Sequence, residues 1–217
     1  MTMDALPNVY LQWAESAEAA DTFLRYNVYR RPLGATAWAR VGVIRDRSIA
    51  YYNDFAAGSA VSYEYSVTVT KDLLGHEVDG AHPTAVAGSV TFRSSFLHDV
   101  SDPRVYAELL VFQEVEAQQD IQFVQPWSRS APTAHVGVMR AKTYRLQGDV
   151  YWDLESGVWA ALAEMQARQA TAGAVLMLRD YRGARAFVQI SSLRRSDRDV
   201  TAGISLELRE VHYEEAV

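Results

Sequence analysis

The sequence contains no cysteine among its 217 residues. Disulfide bonds, zinc sites built from thiolates and a cysteine nucleophile are therefore excluded together. The absence does not identify a cellular compartment, because many secreted proteins also lack cysteine.

Basic residues are scarce relative to acidic ones. The chain has 21 Lys and Arg against 27 Asp and Glu, which gives a net charge of −6 and a pI of about 5.4. Proteins dedicated to binding nucleic acids or anionic membranes need a basic face. The charge balance therefore argues against both classes, sequence-specific nucleic-acid recognition included.

Long apolar runs are missing as well. No stretch approaches the ~20 apolar residues that a membrane-spanning helix needs. The first residues, Met-Thr-Met-Asp-Ala-Leu-Pro, lack the basic and apolar regions of a signal peptide. We therefore expect a soluble protein that is made in a cytoplasm and does not insert into membranes.

Motifs for catalysis and metal binding are not found in the sequence. No two of the five histidines stand at metal-ligand spacing, and there is no His-Glu-x-x-His, Gly-x-Ser-x-Gly or phosphate-binding glycine loop. His98, Asp99 and Asp102 are a candidate metal cluster, but a turn with Asp side chains bonded to local N–H groups is the favoured interpretation. We predict no catalytic residue, no metal, no cofactor and no enzyme.

What the sequence does contain is a series of short strands over residues 1 to about 92. Hydrophobic residues make up 49% of the chain, which is enough for well-packed cores. Apolar and polar residues alternate around Val9–Trp13, Tyr26–Arg30 and Tyr63–Val69, with turn residues between these segments. Short strands at this spacing, without a helical period, predict a β-sandwich.

Three segments in this part resemble a fibronectin type III domain: Val-Tyr-Leu-Gln-Trp at 9–13, Tyr-Asn-Val-Tyr-Arg-Arg-Pro at 26–32, and Gly58 followed by Tyr-Glu-Tyr-Ser-Val at 63–67. The resemblance covers about residues 4–92. It implies that Trp13 is the core tryptophan of the second strand and Tyr63 the tyrosine-corner residue, whose hydroxyl bonds back to the backbone. Too few residues precede Trp13 for a full first strand, so that edge is either short or covered by a neighbouring chain.

The stretch from Tyr144 to Val217 contains the most convincing helix. Four apolar residues at helical spacing form one stripe, Asp153 is placed to cap its start, and Gly173 lies just past its end. The stripe consists of Leu154, Val158, Leu162 and Met165. Alternating strands flank it, and the strands after it are joined by a tight turn at Tyr181–Gly183 and a charged loop at Arg194–Asp199. This pattern predicts an α+β arrangement of one helix on a mostly antiparallel sheet.

Three aromatic residues are candidate contact residues. Trp127 lies in a polar stretch, Glu116–Ala134, that is predicted to be a long loop; it contacts a partner or packs on its own domain. Tyr51 and Tyr52 could stack on a sugar, but such pairs more often place one ring inward and the other at an edge.

The second part, residues 93–217, resembles minor and distal tail proteins of long-tailed bacteriophages. The resemblance rests on the element order and on short segments, chiefly Arg-Asp-Tyr-Arg-Gly at 179–183 and Glu-Val-His-Tyr at 210–213. It implies a split β-barrel with one helix, as in tail-tube proteins, and an assembly role in the virion tail tip.

The sequence thus predicts a mainly β protein with a fibronectin-like domain at 1–92 and a tail-tube-like α+β domain at 93–217. Its expected partners are identical copies in a three-fold or six-fold ring and other tail proteins. The alternative interpretation is a protein that binds carbohydrate, such as a host-surface glycan.

Overall fold

A computed structural model describes residues 6–109, 112–124, 133–197 and 201–213. These residues form several antiparallel sheets and a single helix, so the described part of the chain is mainly β, as predicted. The chain divides into two units. Residues 6–93 belong to the first unit, and most of the residues that follow belong to the second.

The first unit has two sheets. A two-stranded sheet pairs β1 with β4, and a five-stranded sheet has the order β3-β2-β5-β6, with β7 also paired to β5. The strands are β1 (Val9–Gln12), β2 (Phe23–Pro32), β3 (Ala39–Ile44), β4 (Tyr51–Asp54), β5 (Tyr63–Leu73), β6 (His76–Asp79) and β7 (Val86–Gly88).

Aromatic and β-branched side chains build the core of the first unit. Val9 of β1 lies in one buried cluster with Tyr63 and Tyr65 of β5 and with Ala57. Trp13, one residue past β1, is half-buried, and its ring packs edge-on against Tyr26 at 5.4 Å between centroids. The two sheets therefore share apolar contacts that remove several large side chains from water.

The hydrogen bond expected of Tyr63 is present. Its buried hydroxyl accepts a hydrogen bond from the backbone N–H of Gly58 at 3.2 Å, five residues back along the chain. This confirms that the hydroxyl bonds back to the backbone at the start of β5.

Replacing Tyr63 with phenylalanine is expected to lower the free energy of unfolding by about 0.5–1.5 kcal/mol, the net worth of one hydrogen bond. The aromatic ring remains, so the change isolates the hydroxyl. Denaturant unfolding of the full chain measures the effect. An unchanged midpoint would show that water replaces the tyrosine hydroxyl as partner of Gly58.

The second unit is one seven-stranded sheet with a helix. The order of strands is β10-β11-β14-β13-β12-β8-β9. The elements are β8 (Ser95–Asp99), β9 (Tyr106–Leu109), β10 (Phe112–Val124), β11 (Thr133–Tyr151), α1 (Trp152–Ala172), β12 (Leu176–Arg179), β13 (Arg185–Asp197) and β14 (Thr201–Glu210).

Helix α1 packs its apolar stripe into the core of this unit. Val158, Leu162 and Met165 are buried together with side chains of the sheet, as their spacing predicts. Gly173 has φ +64° and donates its N–H to the carbonyl of Gln169, which is the predicted left-handed end of the helix. The helix begins at Trp152, so Asp153 lies inside it and the predicted cap position is wrong.

Two predicted loops belong to strands. β10 continues to Val124 and pairs with β11 from Phe112 onwards, so the loop predicted at Glu116–Ala134 is wrong for every described residue in it. β13 likewise extends to Asp197, into the predicted charged loop. Backbone hydrogen bonds between neighbouring strands form both hairpins. This pairing does not require the alternation of apolar residues from which strands were predicted.

The segment 179–185 interrupts the second unit. It runs from the last residue of the buried strand β12 to the first residue of β13, yet its contacts group it with residues 6–93 in the first unit. The division predicted from the sequence, 1–92 and 93–217, stays a prediction about independent folding.

Candidate functional site

Tyr51 and Tyr52, adjacent in β4, have different environments. Tyr51 is 47% exposed. The Tyr52 hydroxyl donates a hydrogen bond to the carbonyl of Val41 at 2.6 Å, and its ring lies against Gly42. A Cβ on Gly42 would come within 2.7 Å of that ring, so the close packing requires glycine. Tyr51 is therefore available for contact, and Tyr52 is part of the packing. Trp127 lies outside the described residues.

A second tyrosine accompanies Tyr51. Tyr10 of β1 is 56% exposed, and the centroids of the Tyr10 and Tyr51 rings are 6.2 Å apart. Opposite Tyr10 in the register is Asn53, and opposite Tyr51 is Gln12. Directly opposed residues share a face of an antiparallel pair. The tyrosine–amide face thus consists of Tyr10, Gln12, Tyr51 and Asn53.

The tyrosine–amide face carries two phenol rings and two carboxamides, and no charge. Aromatic rings can stack on the C–H faces of sugars, and carboxamides both donate to and accept from hydroxyl groups. Tyr10 could not be identified from the sequence, because only the pairing of β1 with β4, which no local pattern predicts, brings it beside Tyr51.

Three titratable side chains are buried together at the end of β4. Asp54 is 1% exposed, and its carboxylate accepts hydrogen bonds from Arg30 Nη1 at 2.8 and 2.9 Å and from the Tyr65 hydroxyl at 2.7 Å. The backbone N–H of Ala56 donates to the same carboxylate at 2.9 Å. The guanidinium of Arg30 also lies 5.2 Å from the centre of the Tyr63 ring. This network is satisfied internally and exposes no reactive group.

Burial raises the pKa of Tyr65 far above its ordinary value of about 10, and the neighbouring Asp54 charge raises this pKa further. Near pH 10 and above, the unfolded chain therefore releases this proton while the folded chain keeps it. The stabilising contribution of the neutral Tyr65 is complete below pH 10 and declines as the pH rises beyond it.

We expect a Tyr65→Phe variant to lose less stability than the native chain on going from pH 9 to pH 11. The slope that one tyrosine contributes is at most about 1.36 kcal/mol per pH unit. Urea midpoints measured across this range for the native chain, Tyr65→Phe and the exposed control Tyr10→Phe test it. Identical slopes for all three would mean that Tyr65 ionises in the folded protein.

Arg179 is a further buried charge of the first unit. It is 0% exposed, and its guanidinium donates to the carbonyl of Ala57 at 3.0 Å and to that of Pro7 at 2.8 Å. It also lies 5.1 Å from the centre of the Phe92 ring. Burial lowers the pKa of Arg179 to about 10, which leaves the side chain charged at neutral pH.

Hydrogen bonds and close packing determine the conformation of the turn after Arg179. The Asp180 carboxylate accepts the N–H groups of Arg182 at 2.9 Å and Ala184 at 2.8 Å. Gly183 has φ +93°, and a Cβ there would lie 2.9 Å from the carbonyl oxygen of Ser59. The predicted tight turn at Tyr181–Gly183 is confirmed, and its residues also have roles in packing.

The candidate metal cluster is a turn. The Asp99 carboxylate accepts the N–H and hydroxyl of Ser101, at 2.8 and 2.6 Å, and Asp102 accepts from the side chain of Arg104 at 2.8 Å. Arg168 of helix α1 lies 3.5 Å from Asp99 and 3.3 Å from Asp102. Among the described residues, no group of three or more His, Asp or Glu side chains has an arrangement that could hold a metal ion.

In the part of the chain that the structure describes, helix α1 is not apolar enough to span a membrane. A scan against protein-family models gives no match to this chain. A search of curated proteins also finds no significant match.

Proposed function

We propose that the chain is a structural component of a bacteriophage tail tip or baseplate. It assembles as a ring through its tail-tube-like part and carries a fibronectin-like domain. It is made in the host cytoplasm and works in the virion tail. The resemblance of residues 93–217 to tail proteins motivates this proposal, and the long β10–β11 hairpin is the observation that supports it most strongly.

The hairpin extends past its own sheet. β11 pairs with β14 only from Thr143 to Tyr151, whereas its pairing with β10 begins at Thr133. From Lys142↔Ala117 to Thr133↔Val124, the hairpin is a two-stranded ribbon in the described part of the chain. A two-stranded ribbon alone is marginally stable in water, and its edges can pair with other chains. A neighbouring copy would cover it.

A ring provides such a neighbour for every copy. When the hairpin of one copy meets a different surface of the next, the contact is heterologous, and cyclic symmetry closes the series. The resemblance to tail-tube proteins favours three-fold or six-fold symmetry. A net charge of −6 also suits a channel that passes DNA without retaining it.

The fibronectin-like assignment of the first unit is supported by two features of its geometry. The Tyr63 hydroxyl bonds to the backbone of Gly58, and a two-stranded sheet shares a core with a sheet of five strands. A domain of this type is a spacer or binding scaffold and implies no reaction.

A reconstruction of the assembled particle that contains the chain tests the proposal. We expect a closed ring of copies, with each β10–β11 hairpin against a neighbour. A variant in which Asn-Gly joins Ala117 directly to Lys142 shortens the hairpin and leaves the β11–β14 pairing in place. It should fold but fail to enter the ring. Single copies with open sheet edges, or normal incorporation of the shortened variant, would contradict the proposal.

Carbohydrate binding is the second candidate function, favoured by the exposed tyrosine–amide face. A glycan array on the purified protein tests it, with Tyr51→Ala as the disrupting variant. Tyr181→Ala is the control, because Tyr181 has a similar exposure of 45% and lies outside that face. Specific glycan binding that is lost in Tyr51→Ala and kept in Tyr181→Ala would support this function. If the native chain shows no specific glycan binding, the tyrosine–amide face is excluded as a sugar site.

A further inference from the structure

A groove of about 760 Å³ runs along β1 in the first unit. Residues 8–14 form one wall without interruption, and most of residues 83–89 form the other. Successive side chains of a strand point to opposite faces. A wall made of consecutive residues is therefore the edge of a strand, where backbone groups are accessible, and not one of its faces.

The direction of the backbone groups in β1 can be derived from one hydrogen bond. Trp13 donates its N–H to the carbonyl of Ala50, on the β4 side. In an antiparallel pair the direction alternates from one residue to the next. The N–H and C=O groups of Tyr10 and Gln12 therefore point away from β4. In the described part of the chain, no strand pairs with this second edge of β1.

The floor of the groove is apolar and incompletely covered. Val67 and Val69 of β5 line it and are only half-buried. On the opposite face of the same strand, Thr68 and Thr70 are 3% and 0% exposed. Valines are thus less protected from water than threonines, which reverses the usual preference. An apolar occupant would bury these valines.

The groove is also neutral. None of its 19 lining residues is charged. Trp13 borders it, and the indole Nε1 of Trp13 is buried without a hydrogen-bond partner among the described residues. A buried donor of this kind is costly unless a ligand supplies an acceptor. The lining therefore suits a ligand that brings carbonyl oxygens and apolar groups but no charge.

We propose that the groove binds an extended, uncharged peptide segment of another protein, which adds to β1 as a further strand. The backbone groups of Tyr10 and Gln12 provide the ladder, and the valine floor receives alternate side chains of the peptide. The walls converge at Gly88, where a Cβ would lie 2.8 Å from Val9 Cγ1. The occupant therefore lies along residues 10–14, which fits about five residues at ~3.3 Å each.

Several observations favour a peptide over a saccharide in this groove. A peptide strand supplies the alternation of donors and acceptors that an open strand edge requires, together with apolar side chains for the floor. Sugar hydroxyls would face the valines without partners. This inference is independent of the tail proposal, since it concerns the first unit alone and requires no ring.

The test uses the full chain and a displayed library of heptapeptides built from uncharged residues. We expect the native chain to enrich alternating apolar sequences. The best peptide is then measured by fluorescence anisotropy against Gln12→Pro and Gln12→Ala. Proline removes the N–H that points to the open edge without removing a bond to β4, whereas alanine retains it. We expect Gln12→Pro to weaken binding at least tenfold and Gln12→Ala to leave it within twofold.

A charge in the groove gives an independent comparison. Val86→Glu, at an exposed lining position opposite Tyr65 on the face of the valine floor, should weaken binding at least tenfold, whereas Val78→Glu on β6 lies outside the groove and should not. If Gln12→Pro fails to fold, the native chain is measured instead with a form of the peptide that is N-methylated at alternate residues. Failure of the library to enrich, equal binding by Gln12→Pro and Gln12→Ala, or glycan binding blocked by Val86→Glu would each overturn the proposal.

Discussion

An Asp54→Ala variant is expected to lose about 3–5 kcal/mol of folding stability, as is usual when one partner of a buried ion pair is removed. The Asp54 carboxylate accepts hydrogen bonds from Arg30, from the Tyr65 hydroxyl and from the N–H of Ala56. Arg30 is 2% exposed, so its charge would remain in a poorly solvated position. Denaturant unfolding of the full chain, followed by circular dichroism, measures the loss.

Two further substitutions separate charge from shape. Asp54→Asn keeps the size and one acceptor oxygen but removes the charge, so we expect a loss between zero and that of alanine. Asp46→Ala is the surface control, because Asp46 is exposed and bonds only locally to Ser48 among its described contacts. Similar unfolding midpoints for Asp54→Ala and Asp46→Ala would mean that water enters and solvates Arg30.

Replacing Arg179 with methionine should cost about 2–4 kcal/mol. The guanidinium makes two charge-assisted bonds to backbone carbonyls, each typically worth ~1.5–3 kcal/mol, and relief of its desolvation offsets part of that loss. Methionine fills much of the same space, so the change mainly leaves the carbonyls of Ala57 and Pro7 without their donor. Urea unfolding of the full chain gives the difference.

Arg182→Met is the matched control in the same turn, because Arg182 is exposed and its guanidinium lies over the Tyr181 ring. We expect it to change the midpoint little. Arg179→Lys keeps a charge and can donate to one carbonyl at a time, so its loss should be smaller than that of methionine. Native stability of Arg179→Met would indicate that the two carbonyls gain water as a partner.

Local rules predicted the local structure correctly. The apolar stripe of α1, the left-handed Gly173 and the turn at Tyr181–Gly183 all depend on residues within a few positions of one another. The alternation within β5 likewise predicted the buried Tyr63 and Tyr65. Periodicity and turn chemistry are sufficient where neighbours in sequence are also neighbours in space.

Long-range pairing accounts for what the sequence did not predict. The polar strand β10 has little apolar pattern of its own, and β11 provides its hydrogen bonds. Tyr10 lies beside Tyr51 only because β1 pairs with β4 across about forty residues of chain. The burial of Arg179 could not be predicted from the sequence either, since a charged residue at the start of a turn is ordinarily solvated. For Tyr51 and Tyr52, the general rule predicted one ring outward and one inward, and the structure decides which ring is which.

The membership of segment 179–185 in the first unit also constrains the order of events during synthesis. The Arg179–Ala57 hydrogen bond joins residues 122 positions apart. At typical elongation rates of 5–20 residues per second, residues 94–178 need roughly 4–17 s to be translated after the first unit has emerged. For that time the carbonyls of Ala57 and Pro7 lack the guanidinium that later binds them. On the ribosome, the first unit therefore completes its hydrogen bonding only after strands β8 to β12 of the second unit have been synthesised.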